Sequence, residues 1–139
     1  MRIDQSLPVL VVDDYTTMTR IIRTILKQLG FANVERVHDG NQALAKLRDG
    51  SYSMVISDWN MAPMSGYDLL KEVRSDEKLA NIVFIMISVE SSIPRVVAAR
   101  KAQADSYVTK PFSAQTLKAK IEEACANSAA IRGSGHQAA

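Results

Sequence analysis

Residues 7–14 read LPVLVVDD, an unbroken run of six apolar residues that ends on a pair of acids. A short continuous run rich in Val and Leu, without polar alternation, is what a strand buried on both faces looks like. Working outward, Met18, Ile21, Ile22, Ile25, Leu26 and Leu29 form one helix-spaced apolar stripe that stops at Gly30, a C-cap residue. Val34 and Val37 suggest a shorter, more polar strand near an edge. Asn41 is the expected cap of a helix carrying Ala43, Leu44 and Leu47, which ends at Asp49 and Gly50.

The second half repeats the alternation. Residues 52–57 read as a strand, and Tyr67, Leu69, Leu70 and Val73 mark a helix after the turn at 63–66. Residues 82–87 (IVFIMI) are the most apolar run of the chain and are expected to form a central strand. Ser91 or Ser92 would cap a helix with Pro94 in its first turn and Val96, Val97 and Ala99 facing inward. A strand at 106–109 leads into Lys110-Pro111, and Ser113 would cap a last helix bearing Leu117, Ile121 and Cys125. Strand and helix alternating five times imply an α/β fold with a parallel sheet covered on both faces. Periodicity is lost from Asn127, so 1–126 should form the domain and 127–139 a flexible tail.

Composition narrows the function. A chain of 139 residues with 47% hydrophobic and 23% charged residues suits one domain with a real core, and leaves no room for a second, catalytic or DNA-binding one. Seventeen basic against 15 acidic residues is too even a balance for nucleic acid as the main partner. No apolar run approaches the ~20 residues of a membrane span, and the start does not resemble a secretory signal. The lone Cys125 cannot form an internal disulfide and fits a reducing cytoplasm. A monomer acting by contact is expected.

Chemistry gathers where the apolar runs end: Asp13 and Asp14, Asp58, Ser88 and Lys110. A right-handed parallel sheet brings those carboxyl ends to one crevice, where ligands of such sheets bind. Two like charges 4 Å apart repel by about 4 kcal/mol at an effective dielectric near 20. Three carboxylates must therefore take up protons, recruit Lys110, or hold a cation. With oxygen donors and no His or Cys in the pattern, hard Mg²⁺ fits better than zinc or copper. Carboxylates, Mg²⁺ and a lysine together suit phosphoryl transfer.

At these spacings the five residues resemble the receiver domain of two-component response regulators. VVDDYTTMTRIIR, VISDWNM and the segment at 107–112 are most similar to the single-domain, CheY-like chemotaxis regulators. The resemblance runs from residue 7 to about 125 and implies a doubly wound (βα)5, flavodoxin-like three-layer sandwich on a five-stranded parallel sheet. It implies that Asp58 accepts a phosphoryl group from a histidine kinase. Asp13, Asp14, Asp58 and the backbone carbonyl of Asn60 would hold Mg²⁺. Lys110 and Ser88 would bind the phosphoryl group, Tyr107 would turn inward as part of the switch, and Pro111 would follow a cis peptide bond. Asn60 and Glu90 match the pair that orients attacking water in short-lived members, so fast autodephosphorylation is expected.

The same resemblance makes Arg95, Val96, Arg100, Lys101, Tyr107 and Lys118 the candidate partner face, for example toward a flagellar motor switch. Two departures stand out: Ala62 where the family nearly always has Pro, with Pro63 one place later, and Gln103 where it usually has Gly. Other readings fare worse. An Asp-nucleophile hydrolase needs a second acid two residues after the nucleophile, and Tyr15 and Asn60 stand there instead. A nucleotide or flavin domain needs a glycine-rich loop after the first strand, where this chain has Asp-Asp-Tyr-Thr-Thr. A receiver gripping an anionic ligand such as a cyclic dinucleotide through Arg95 and Arg100 is the remaining alternative.

Overall fold

A computed structural model describes residues 6–138, with side chains as far as Asn127. Apart from Asn127, the expected flexible tail falls outside those side chains. Strands and helices alternate: β1 (Val9–Val12), α1 (Thr16–Gln28), β2 (Val34–Val37), α2 (Gly40–Asp49), β3 (Met54–Asp58), α3 (Gly66–Ser75), β4 (Val83–Ser88), α4 (Ile93–Lys101), β5 (Ser106–Thr109) and α5 (Ala114–Ala138). All strand pairings are parallel and the order is β2-β1-β3-β4-β5. This is the doubly wound α/β sandwich, with β2 at one edge as its polar sequence suggested. β3 holds the centre and β4 lies beside it, also internal.

Period-two alternation divides the core. Val9 and Val11 face α1 and α5, with Ile22, Leu26, Leu117 and Ile121. Leu10 and Val12 face α2 and α3, with Leu44, Leu47, Leu69 and Leu70. Cys125 belongs to the first layer, where burial pushes its thiol up to about 11, so it is inert.

Several local expectations shift. Asp39, not Asn41, caps α2: its backbone is extended and its carboxylate accepts from Gln42 N at 2.8 Å. Ile21 is exposed, and Thr19 takes its place in the buried stripe by donating its hydroxyl to the Thr16 carbonyl (2.8 Å). Val97 also points to solvent, which leaves Ala99 as the one buried residue of α4. Gly30 does end α1: at φ 100° its N–H reaches the Lys27 carbonyl while Phe31 N bonds the Leu26 carbonyl, a Schellman closure. Gln103 repeats that closure after α4 at φ 71°, with Gln103 N on Arg100 O and Ala104 N on Ala99 O. A side chain in this left-handed conformation costs about 1 kcal/mol that glycine would not.

Candidate functional site

Sheet register assembles the site. Val12 pairs with Ser57, so the residue after β1, Asp13, lies beside Asp58, the last residue of β3. Asp58 pairs with Ile87, which puts Ser88 one step beyond, and Ser88 pairs with Thr109, which puts Lys110 a step further. The order reverses between β2-β1 and β1-β3, and splayed connections at such a point leave a crevice. The crevice floor is therefore built at the strand ends: Asp58 and Ser88 are the last residues of β3 and β4, and Asp13 and Lys110 are the first residues past β1 and β5.

Carboxylate oxygens of Asp13, Asp14 and Asp58 come within 4.8 Å of one another. Asp13 and Asp58 are buried, while Asp14 is exposed. Lys110 Nζ lies 3.3 Å from Asp13 Oδ2 and 3.2 Å from Asp58 Oδ1, and Tyr15 N donates to Asp13 Oδ1 at 2.9 Å. Burial raises the carboxyl of Asp13 above the ordinary range, against the pull of the Tyr15 amide and Lys110. Burial also raises Asp58, helped by the charge of Asp13 and opposed by Lys110. One lysine does not neutralise three acids. The donor set is all oxygen, partly buried and short of positive charge, which fits a hard divalent cation.

This has a pH consequence. Over the window between the unfolded carboxyl value and the raised folded one, the native state binds more protons than the unfolded state. Stability without a cation therefore falls as pH rises through that window, and the cost is fully present once the pH exceeds the raised folded value. Asp13→Asn should melt higher than wild type at pH 7 in EDTA. It should lose most of the stabilisation that Mg²⁺ gives wild type, about 2.7 kcal/mol at 100 times the Kd. Differential scanning fluorimetry with and without Mg²⁺ checks both; a variant that melts lower in EDTA and still responds fully to Mg²⁺ contradicts the argument.

Around this centre the structure brings most of the sequence-predicted residues together. Ser88 is buried and its Oγ accepts from Glu90 N at 3.1 Å. Tyr107 is half-buried: its hydroxyl donates to the Glu90 carbonyl, and its ring meets Trp59 edge-on at 6.4 Å. The loop after Asp58 closes through Trp59 N on Ile87 O (2.8 Å) and Gly66 N on Trp59 O (2.9 Å), and Ser65 caps α3 through Asp68 N. The displaced proline leaves this closure in place; cis peptide bonds precede both Pro63 and Pro111.

The basic residues divide. Val96, Arg100, Tyr107 and Thr109 line a groove of about 580 Å³ between α4, β5 and α5, with Lys120 and Glu123 opposite. Lys101 and Lys118 are exposed on α4 and α5. Arg95, however, turns toward the loop after Asp58, bonding Asn60 and Glu90 and lying over Trp59, while Arg100 lines the groove. That contact joins residues 35 positions apart, and nothing in spacing or composition signals it.

The chain belongs to the response regulator receiver domain family, whose model matches residues 9–122. Its curated relatives within that family include CheY proteins. The chemotaxis protein CheY of Pseudomonas aeruginosa is 44% identical over 115 residues, 83% of this chain and 93% of that protein. CheY-3 of Vibrio cholerae is 40% identical over 121 residues, 87% of this chain and 93% of that one. The solved structure of Vibrio cholerae CheY4 matches with a TM-score of 0.79 at 28% identity, covering 86% of this chain and 98% of that one. The chain is thus a CheY-type receiver, a domain of two-component signalling. Among the described residues no helix is long and apolar enough to cross a membrane.

Proposed function

We propose that this receiver is a stand-alone phosphoryl-acceptor switch, working in the cytoplasm, with Asp58 as acceptor. What carries the reading is Lys110 held between Asp13 and Asp58 within a three-carboxylate cluster at the sheet's switch point. An Asp58 oxygen attacks the phosphorus of a histidine kinase's phosphohistidine, the P–N bond breaks, and an acyl phosphate forms. Asp13, Asp14, Asp58 and the Asn60 carbonyl are the groups that would hold Mg²⁺, which when bound offsets negative charge on the phosphoryl oxygens. Lys110 is already placed to pair with one of those oxygens.

The switch lies in groups that exchange partners. Ser88 Oγ, now accepting from Glu90 N, donates its hydroxyl to the phosphoryl group, and Tyr107 fixes the loop through the Glu90 carbonyl. The output surface is the groove of α4, β5 and α5, with Arg100, Lys101 and Lys118 suited to an acidic segment of a target protein. The chemotaxis names of the relatives support a target in chemotaxis or flagellar motor control.

Incubating the chain with acetyl phosphate and Mg²⁺ should give one acid-stable, base-labile phosphoryl group per chain, with a change in Trp59 fluorescence. Asp58→Asn should take up none, and EDTA should block uptake. Equal incorporation into Asp58→Asn, or none into wild type, sinks the assignment.

A further inference from the structure

We infer that Arg95 is a positioning residue that restrains breakdown of the acyl phosphate by holding Asn60 and Glu90 away from the attacking water. The inference rests on Asp58 being the acceptor and concerns how long its phosphoryl group persists. Three contacts carry it. Arg95 Nη1 donates to Asn60 Oδ1 at 3.3 Å, Arg95 Nε meets Glu90 Oε2 at 3.3 Å, and the guanidinium lies 4.1 Å from the centre of the Trp59 ring. Trp59 is stacked in turn on Tyr67 at 5.0 Å and 5° between planes. The guanidinium thus has its edge on two polar groups and its face on a ring that is itself held. Its side chain is 25% exposed against 58% for Glu90, so Arg95 is the fixed member of the pair and Glu90 the one being held.

The geometry matters because of what hydrolysis requires. Water attacks phosphorus, the P–O bond to Asp58 breaks, Asp58 leaves as a carboxylate, and phosphate departs with a proton released to solvent. A group that accepts a hydrogen bond from that water aligns it for attack, and misplacing reacting groups by about 1 Å can change the rate by about 10²-fold. Asn60, two residues past Asp58, and Glu90, two past Ser88, are the acceptors placed to do so. Asn60 Oδ1 and Glu90 Oε2 are both turned to Arg95. The residue pair expected to shorten the signal is present but engaged elsewhere, so decay should be slower than its identity implies.

The contacts also tie the amino end of α4 to the acceptor loop. α4 buries only Ala99, so this polar tie is a large share of what holds that end. Planar, forked donation combined with ring stacking is particular to arginine; lysine offers neither.

The test uses the full chain loaded with ³²P-labelled acetyl phosphate and Mg²⁺, freed of donor, with phosphate release followed in time. Arg95→Met should decay at least about 5-fold faster than wild type, with uptake changed less than about two-fold. In an Asn60→Ala/Glu90→Ala background the same substitution should change decay less than about two-fold, because the groups it releases are gone. Arg95→Lys should fall between wild type and Arg95→Met. Unchanged or slower decay in Arg95→Met overturns the inference, as does equal acceleration in the background lacking both acceptors. If neither wild type nor variant takes up label, the acceptor role of Asp58 is what fails.

Discussion

Gly66→Ala should cost about 3 kcal/mol and reduce phosphoryl uptake at Asp58 more than ten-fold in whatever fraction folds. A Cβ built on Gly66 would lie 2.1 Å from the carbonyl oxygen of Asp58, 2.9 Å from its carbonyl carbon and 3.0 Å from Trp59 Cα. All three are backbone atoms at the end of the central strand, so no side chain can turn away to make room. Relief requires α3 to draw back from β3 by roughly an ångström, judged against ordinary carbon–oxygen contact. That movement breaks the bond from Gly66 N to Trp59 O at 2.9 Å and shifts Asp58, the proposed acceptor. Overpacking that forces backbone movement costs typically 1–3 kcal/mol, and the bond is lost as well.

Thermal melting should fall by roughly 10 °C for a domain of this size. Gly50→Ala provides the control. There the new Cβ would meet the edge of the Tyr52 ring at 3.2 Å and the Lys46 carbonyl oxygen at 3.6 Å, contacts that a shift of a few tenths of an ångström relieves. If Gly66→Ala melts within about 1 kcal/mol of wild type and takes up phosphoryl normally, the close approach has been misjudged.

The contrast shows what the sequence could and could not reveal. Gly66 is visible in the sequence only as the end of a turn; that it abuts the Asp58 carbonyl depends on how α3 packs against the strand end. Residues 7–14 and 82–87 betray their strands because burial on both faces leaves a continuous apolar run, a signal that needs no partner to be read. Asp13, Asp58, Ser88 and Lys110 were legible for a related reason: each ends such a run, and a parallel sheet aligns the ends. Errors fell where a residue's face is decided by neighbours rather than by its own polarity. Thr19 is buried because its hydroxyl bonds the backbone one turn back, while Ile21 and Val97 remain exposed. Asp39 and Asn41 are equally good caps by type, and only the extended backbone at Asp39 chooses between them.

The contacts of Arg95 are invisible in the sequence for a similar reason. On a helix carrying Arg100 and Lys101 it looks like one more charge on a docking surface, and its partners are set by tertiary placement. The consequence reaches the switch. Since α4 is anchored through one alanine and by polar contacts at its two ends, its position responds to small changes in those contacts more than that of a helix seated in the core. One end holds Arg95 against the loop after Asp58. At the other end Gln103 presents its carbonyl to Arg74.

That second anchor supports the remaining large prediction, that Arg74→Met destabilises the domain by about 3–5 kcal/mol. All five N–H donors of the guanidinium are committed. Nε and Nη2 donate to the Gln103 carbonyl at 3.0 and 2.8 Å, and Nη1 donates to the carbonyls of Ala80 (3.0 Å) and Ile82 (2.6 Å). Nη2 also meets Asp105 Oδ2 at 3.1 Å, and that oxygen accepts from Phe84 N at 2.9 Å. With side chains 9% and 3% exposed, the pair is desolvated, so removing the cation strands a buried carboxylate and takes away the donor shared by the Ala80, Ile82 and Gln103 carbonyls. Methionine approximates the lost stem, which confines the loss mainly to polar terms. Because α3, β4, the end of α4 and β5 all meet at this arginine, the cost should appear as one cooperative melt displaced by some 10–15 °C, not as local fraying. Asp105→Asn combined with Arg74→Met should recover part of the loss, since the stranded charge goes with it, although Phe84 N keeps an acceptor. The site is at the opposite end of the strands from Asp58, so the folded fraction of Arg74→Met should still take up phosphoryl at near the wild-type rate. A loss below about 1 kcal/mol in urea titration, or no recovery in the double variant, shows that the network contributes geometry and little stability.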